Sequence, residues 1–169
     1  MDQSEEHKSN FSKKIANFYS LNKIKIYLLV LILVIFFITT FILKINTEKK
    51  NILIAEKYVK AGLMLTADDK NNAKLLYDEI ILSKNKFYSI LALNTIIEKN
   101  LIEDKNKILN YFDLIEETVS LKENIDIIKL KKALYLIKIF EVERGNNLLK
   151  SLIDQNSNLK PIAQELLKK

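Results

Sequence analysis

The sequence predicts an all-α protein: one N-terminal transmembrane helix followed by a small α-solenoid of about three helix pairs. Three observations predict it. Residues 26–43, IYLLVLILVIFFITTFIL, carry no charge between Lys25 and Lys44. Beyond them, polar turns followed by amphipathic stretches recur, opening at Asp69, Asp104 and Arg144. The chain also holds only two glycines and one proline, which argues against folds rich in strands and loops.

Residues 1–25 come first. MDQSEEHKSN is polar and is expected to be disordered. In FSKKIANFYSLNK, Phe11, Ile15 and Phe18 fall on one helical face, with Lys13 and Lys14 off it. Two readings fit equally: a short helix lying in the headgroup region, with Tyr19 near the boundary, or an extension of the membrane helix. The apolar segment 26–43 would rise about 27 Å as a helix, against a hydrocarbon core of about 30 Å. Lys25 and Lys44 can snorkel to cover the difference. Thr39 and Thr40 can bond back to their own helix. No small-x-small cleavage site follows, so an uncleaved anchor fits better than a signal peptide. Residues 44–50 form a short tether without Pro or Gly, and 51–169 form the helical domain.

Within that domain three stretches align: DKNNAKLLYDEII from Asp69, DKNKILNYFDLIE from Asp104 and RGNNLLKSLID from Arg144. Ala73, Tyr77 and Ile80 share a face in the first; Ile108, Phe112, Ile115 and Val119 share one in the second; Leu148, Leu149 and Leu152 begin the third. An apolar helix precedes each: Ile54, Tyr58, Ala61 and Leu65 in heptad-like spacing, then Tyr88 to Leu101, then Ile125 to Phe140. The spacing is 35 residues and then 40, and a helix pair recurring at about that interval cannot bury its apolar face alone, so the pairs are expected to stack.

The pairs resemble tetratricopeptide repeats in degenerate form. That motif wants a small residue in the first helix and another twelve positions on; Ala61 and Ala73 match. It wants an aromatic four residues after the second; Tyr77 and Phe112 match. Ile96 with Ile108, and Leu136 with Leu148, stand where the later repeats should have small residues. The first two repeats also lack the usual closing proline. The full layout, together with AEKYVKAGLML, FYSILALNTII and the closing PIAQELLKK, resembles the bacterial membrane-anchored proteins similar to the ancillary subunit of the SecYEG translocon. The resemblance implies a single-pass inner-membrane protein, a periplasmic C-terminal domain, and contact with translocon, chaperone or secretory client. It also implies an inner groove lined by the first helix of each pair. Counted from the contact positions, that groove takes Tyr58 and Leu65, then Ile90, Leu93 and Ile97, then Leu130, Ile137 and Phe140. The alternative is that these side chains are core.

Charge does not orient the anchor. Lys13, Lys14, Lys23 and Lys25 precede it, and Lys44, Lys49, Lys50 and Lys57 follow it. The resemblance alone puts the N-terminus inside. The net charge of +6 is interleaved along helices rather than blocked, as on a solvated surface, with no nucleic-acid partner.

Chemistry is sparse. There is no cysteine, so neither a disulfide nor a thiolate metal site can form. His7 is the sole histidine and sits in the polar tail. Gly62 and Gly145 cannot build a phosphate loop or a nucleophile elbow. Gly62 reads as close helix packing, and Gly145 as a turn before a helix where positive φ is useful. Asp68–Asp69 and Glu103–Asp104 sit in turns, where Asp caps helices, and Glu116–Glu117 diverge on a helix. No catalytic, metal-binding or cofactor-binding residue is assigned, and an enzyme is not expected. Two functions remain: an interaction module at the translocon, or a structural or scaffolding protein of the envelope that binds a membrane partner through its anchor.

Overall fold

The computed structural model describes the backbone of residues 3–168 and the side chains of 18, 20–25, 27–122 and 124–168. Among the described residues it has seven helices and no strand: α1 Gln3–Thr66, α2 Lys70–Leu82, α3 Tyr88–Glu98, α4 Lys105–Thr118, α5 Lys122–Lys138, α6 Val142–Asp154 and α7 Lys160–Leu166. The chain divides into two compact units, Met1–Lys49 and Lys50–Lys169.

The first unit is helix throughout its described length. The polar stretch at 3–10, expected to be disordered, is helical. No Gly or Pro interrupts it. The side chains of Phe11, Ile15, Tyr19 and His7 lie outside the described residues. The apolar segment is long and apolar enough to cross a membrane: an 18-residue window reaches a mean hydropathy of 3.1, and none of it is buried by protein. Thr39 Oγ1 donates to Ile35 O and Phe36 O, and Thr40 Oγ1 to Phe37 O, so neither hydroxyl is left bare on that surface. Residues 44–50, expected as a tether, lie inside α1, where Thr47 Oγ1 donates to Leu43 O.

The second unit carries the core. Each helix buries the stripe its periodicity marks: Ala73, Tyr77, Ile80 and Ile81 on α2; Ile108, Phe112 and Ile115 on α4; Leu149 and Leu152 on α6. One large cluster runs from Ile54 to Leu136, and a smaller one gathers Ala133, Leu149, Leu152 and Ala163. Asp69 and Asp104 cap α2 and α4: Asp69 Oδ1 accepts from Asn72 N (3.3 Å), and Asp104 Oδ1 from Asn106 N (2.9 Å) and Lys107 N (3.2 Å). Such caps each contribute about 1 kcal/mol.

Five helices end on a residue with positive φ, and none of the five is glycine: Asp68, Lys84, Asn100, Phe140 and Asn156. After α1, α5 and α6 the two hydrogen bonds of a Schellman turn are complete. Around Phe140, for example, its own N–H donates to Ile137 O (3.1 Å), and Glu141 N–H donates to Leu136 O (2.9 Å).

Both glycine expectations reverse. Gly145 is not in a turn. It lies buried inside α6, without positive φ, and an added Cβ would sit 2.7 Å from Ile137 Cγ1 and 2.8 Å from Ala133 O. Gly62 has room, since its Cβ would meet nothing nearer than Tyr77 Oη at 4.0 Å. Close helix contact therefore belongs to α5 and α6, at Ala133 and Gly145, which are twelve positions apart like Ala61 and Ala73. The close contact at Ala133–Gly145 stands three residues earlier than the expected pair Leu136–Leu148. Counted from there, the second-helix positions Ala73, Ile108 and Gly145 lie 35 and 37 residues apart.

Candidate functional site

The helices that position the candidate face are α1, α3 and α5. Each is joined to the next: Tyr58 Oη lies 3.3 Å from Thr95 Oγ1, and Lys131 Nζ donates to Asn94 Oδ1 at 2.9 Å. The partner helices join similarly, where Lys107 Nζ on α4 donates to Asp78 Oδ2 on α2 at 2.6 Å. The Tyr111 hydroxyl beside that pair is pushed up to about 12, chiefly by burial and then by its bond to Asp78.

Between α3 and α5 lies a cavity of about 330 Å3. Ile97 and Leu134 form its apolar wall, Asn94, Glu98, Lys131 and Lys138 its polar rim, and the Phe112 and Tyr135 rings, 5.9 Å apart, back it. Burial holds the Lys131 ammonium below the usual lysine range, so its bond to Asn94 compensates a partly desolvated charge. Burial raises the Tyr135 hydroxyl, with Asp104 and then Glu141 adding to it. An apolar wall edged by an amide, two ammonium groups and one carboxylate can hold an extended peptide by its side chains and backbone. Among the described residues no group of three His, Cys, Asp or Glu is arranged to hold a metal ion.

The eight residues expected to line a groove divide. Ile97 lines the cavity. Ile90 is half-buried and borders a second hollow with Phe87, Leu91 and Ile127. Tyr58 is half-buried in an aromatic cluster, its ring 5.6 Å from Tyr77 and 5.7 Å from Tyr88, and Leu65 packs on the same core. Leu93 is a correction: it is fully buried core and presents nothing to a ligand. Leu130 and Ile137 pack on the smaller cluster, with Ile137 against Gly145. Phe140 is the other correction: it lies beyond the end of α5 in a turn, 90% exposed.

Leu130 and Ile137 are counted from Leu136–Leu148, three residues later than the close contact at Ala133–Gly145. Moved back by three, the positions of Leu130 and Ile137 become Ile127 and Leu134, each 42% exposed. Leu134 then corresponds to Ile97, and both face the same cavity. The signal was present: glycine is the smallest residue, and Gly145 stands twelve after Ala133.

No family model matches the chain, and no curated protein or solved structure is significantly similar to it.

Proposed function

We propose that this chain is a membrane-tethered protein-interaction module of the bacterial inner membrane. In this reading it is single-pass, its helical domain is periplasmic, and it is ancillary to the Sec translocon and to periplasmic chaperones. It acts by binding, without catalysis. The three helix pairs are read as a tetratricopeptide-like solenoid, with α1, α3 and α5 forming the inner face and a peptide segment of client or chaperone lying across Ile97 and Leu134.

The observation that carries the reading is the recurrence of inter-helix contacts at similar intervals. Tyr58 meets Thr95, and Asn94 meets Lys131, each across 37 positions. Lys86 meets Ser120 across 34. Contacts that recur at similar intervals are what stacked helix pairs would make. The cavity between α3 and α5 supports a binding face, and the bare apolar segment supports a membrane tether.

Photocrosslinkers at Ile97 and Leu134 of the full chain in cells should capture translocon components, chaperones or exported chains. One at Asn110, exposed on α4, should capture far less. Equal or absent capture at the two faces would overturn the groove. Exchanging residues 26–43 for an unrelated apolar span should leave the capture intact. Its loss would favour the scaffolding alternative, in which the anchor itself binds the partner.

A further inference from the structure

Successive helices of the second unit alternate in direction. The α2–α3, α4–α5 and α6–α7 turns therefore gather at the end where residue 51 stands. Three hydrogen bonds tie that end together: Asn85 Nδ2 donates to Asn51 Oδ1 (2.7 Å), Lys86 Nζ to Ser120 Oγ (3.3 Å) and Lys122 Nζ to Gln155 O (3.1 Å).

The two ends differ in charge. At this end the turns and the first helical residue after each hold Lys84, Lys86, Lys122 and Lys160, and no acid. At the other end the same positions hold Asp68, Asp69, Glu103, Asp104 and Glu141 against Lys70, Lys99 and Lys105. Among the described residues, Lys84, Lys86 and Lys122 have no carboxylate within ion-pair distance.

The ends also differ in how their helices begin. α2 and α4 start on capping aspartates, whereas α3 and α5 start on Phe87 and Leu121, which are 63% and 62% exposed and make no capping bond. Asn85 Oδ1 accepts from the Phe87 and Tyr88 amides (3.1 and 2.9 Å), so the Phe87 ring is not needed for the start of α3. Leu82, at the end of α2, is exposed beside the same turn. Exposed apolar side chains at turns that also carry lysines, with no carboxylate partner among the described residues, are the chemistry of a surface that meets an anionic bilayer.

The chain itself brings the bilayer within reach. Asn51 follows Leu43, the last apolar residue of the span, by eight positions, at most about 28 Å of fully extended chain. We propose that this end of the helical domain docks on the lipid surface. Phe87 and Leu121 enter the headgroup layer, and Lys84, Lys86 and Lys122 face anionic lipid phosphates. The inference rests on the membrane-anchor reading above.

The chain has no tryptophan, so one introduced indole is a sole reporter. Leu33→Trp, Phe87→Trp, Leu121→Trp and Phe140→Trp versions of the full chain are placed in vesicles of phosphatidylethanolamine and phosphatidylglycerol, with bromine on the acyl chains near the headgroups. The Leu33→Trp variant reports the anchor, and Phe140→Trp reports the opposite end of the domain. Quenching in the two tip variants, Phe87→Trp and Leu121→Trp, should reach about half that in the anchor variant, with little in Phe140→Trp. Combining Phe87→Trp with Lys84→Ser, Lys86→Ser and Lys122→Ser should reduce its quenching by about twofold or more. If the anchor variant is quenched while both tip variants behave like Phe140→Trp, the anchor stands and the docking is wrong. If the anchor variant is unquenched, the anchor reading falls and the docking falls with it. Circular dichroism of each variant identifies any that unfolds, and either of the two tip reporters suffices.

Discussion

The first and third helix pairs solve the same problem with different materials. In the pair α1–α2, Ala61 and Ala73 are both fully buried, and the glycine next to Ala61, Gly62, has spare room. In the pair α5–α6 the helices meet at Ala133 and Gly145, where a single Cβ would run into backbone. Both first helices then turn back through a side-chain-bearing residue at positive φ, Asp68 after α1 and Phe140 after α5. The difference shows that a glycine in a helix is explained by its neighbours, not by its position. One of these two is required by contact, and the other simply forgoes helix propensity.

The comparison breaks most directly at Gly145. Gly145→Ala should destabilise the helical domain by about 2 kcal/mol, because Ala133 O belongs to backbone that cannot rotate away, and this outweighs alanine's better helix propensity. Urea unfolding of the detergent-solubilised chain, followed by circular dichroism, measures the loss. An unchanged midpoint would mean that α5 and α6 stand farther apart than described.

A smaller effect is expected at the turn after α5. Phe140→Gly relieves a left-handed conformation that costs a non-glycine residue about 1 kcal/mol, and part of that gain is offset by a more flexible unfolded chain. The exposed ring has no packing to lose. The same change at Asp68 should gain less, since Asp tolerates this region better than Phe does. Parallel unfolding curves of the two variants test the order, and a larger gain at Asp68 would reverse the argument.

The smallest effect, opposite in sign to that at Gly145, belongs to Gly62. Gly62→Ala should stabilise by about 0.5–1 kcal/mol through helix propensity alone. A loss at Gly62 as large as that at Gly145 would erase the distinction between the two pairs.

Much of this was legible in the sequence, and the failures have physical causes. The uncharged run from Ile26 to Leu43 and the stripes of α2 and α4 are set by hydrophobic periodicity, which one sequence displays directly. The capping roles of Asp69 and Asp104 follow from residue type. The contact at Gly145 was missed because glycine suggests a turn before it suggests contact. The positive-φ turns were invisible because Lys84, Asn100 and Phe140 occupy positions where glycine would announce itself. On the candidate face, periodicity cannot tell a half-buried residue from a fully buried one: Leu93 and Ile97 lie one helical turn apart, yet only Ile97 reaches the cavity.

The separation of the core into two clusters has a consequence for motion. Tyr77, Phe112 and their neighbours belong to a large shared cluster, whereas the seven-residue α7 is held through Ala163 on a cluster of four fully buried side chains. Opening free energies follow local burial. Amide hydrogens along α7 should therefore exchange with solvent sooner than those of α2 and α4. Lifting α7 would uncover Leu149 and Leu152 along one face of α6 and leave the larger cluster closed.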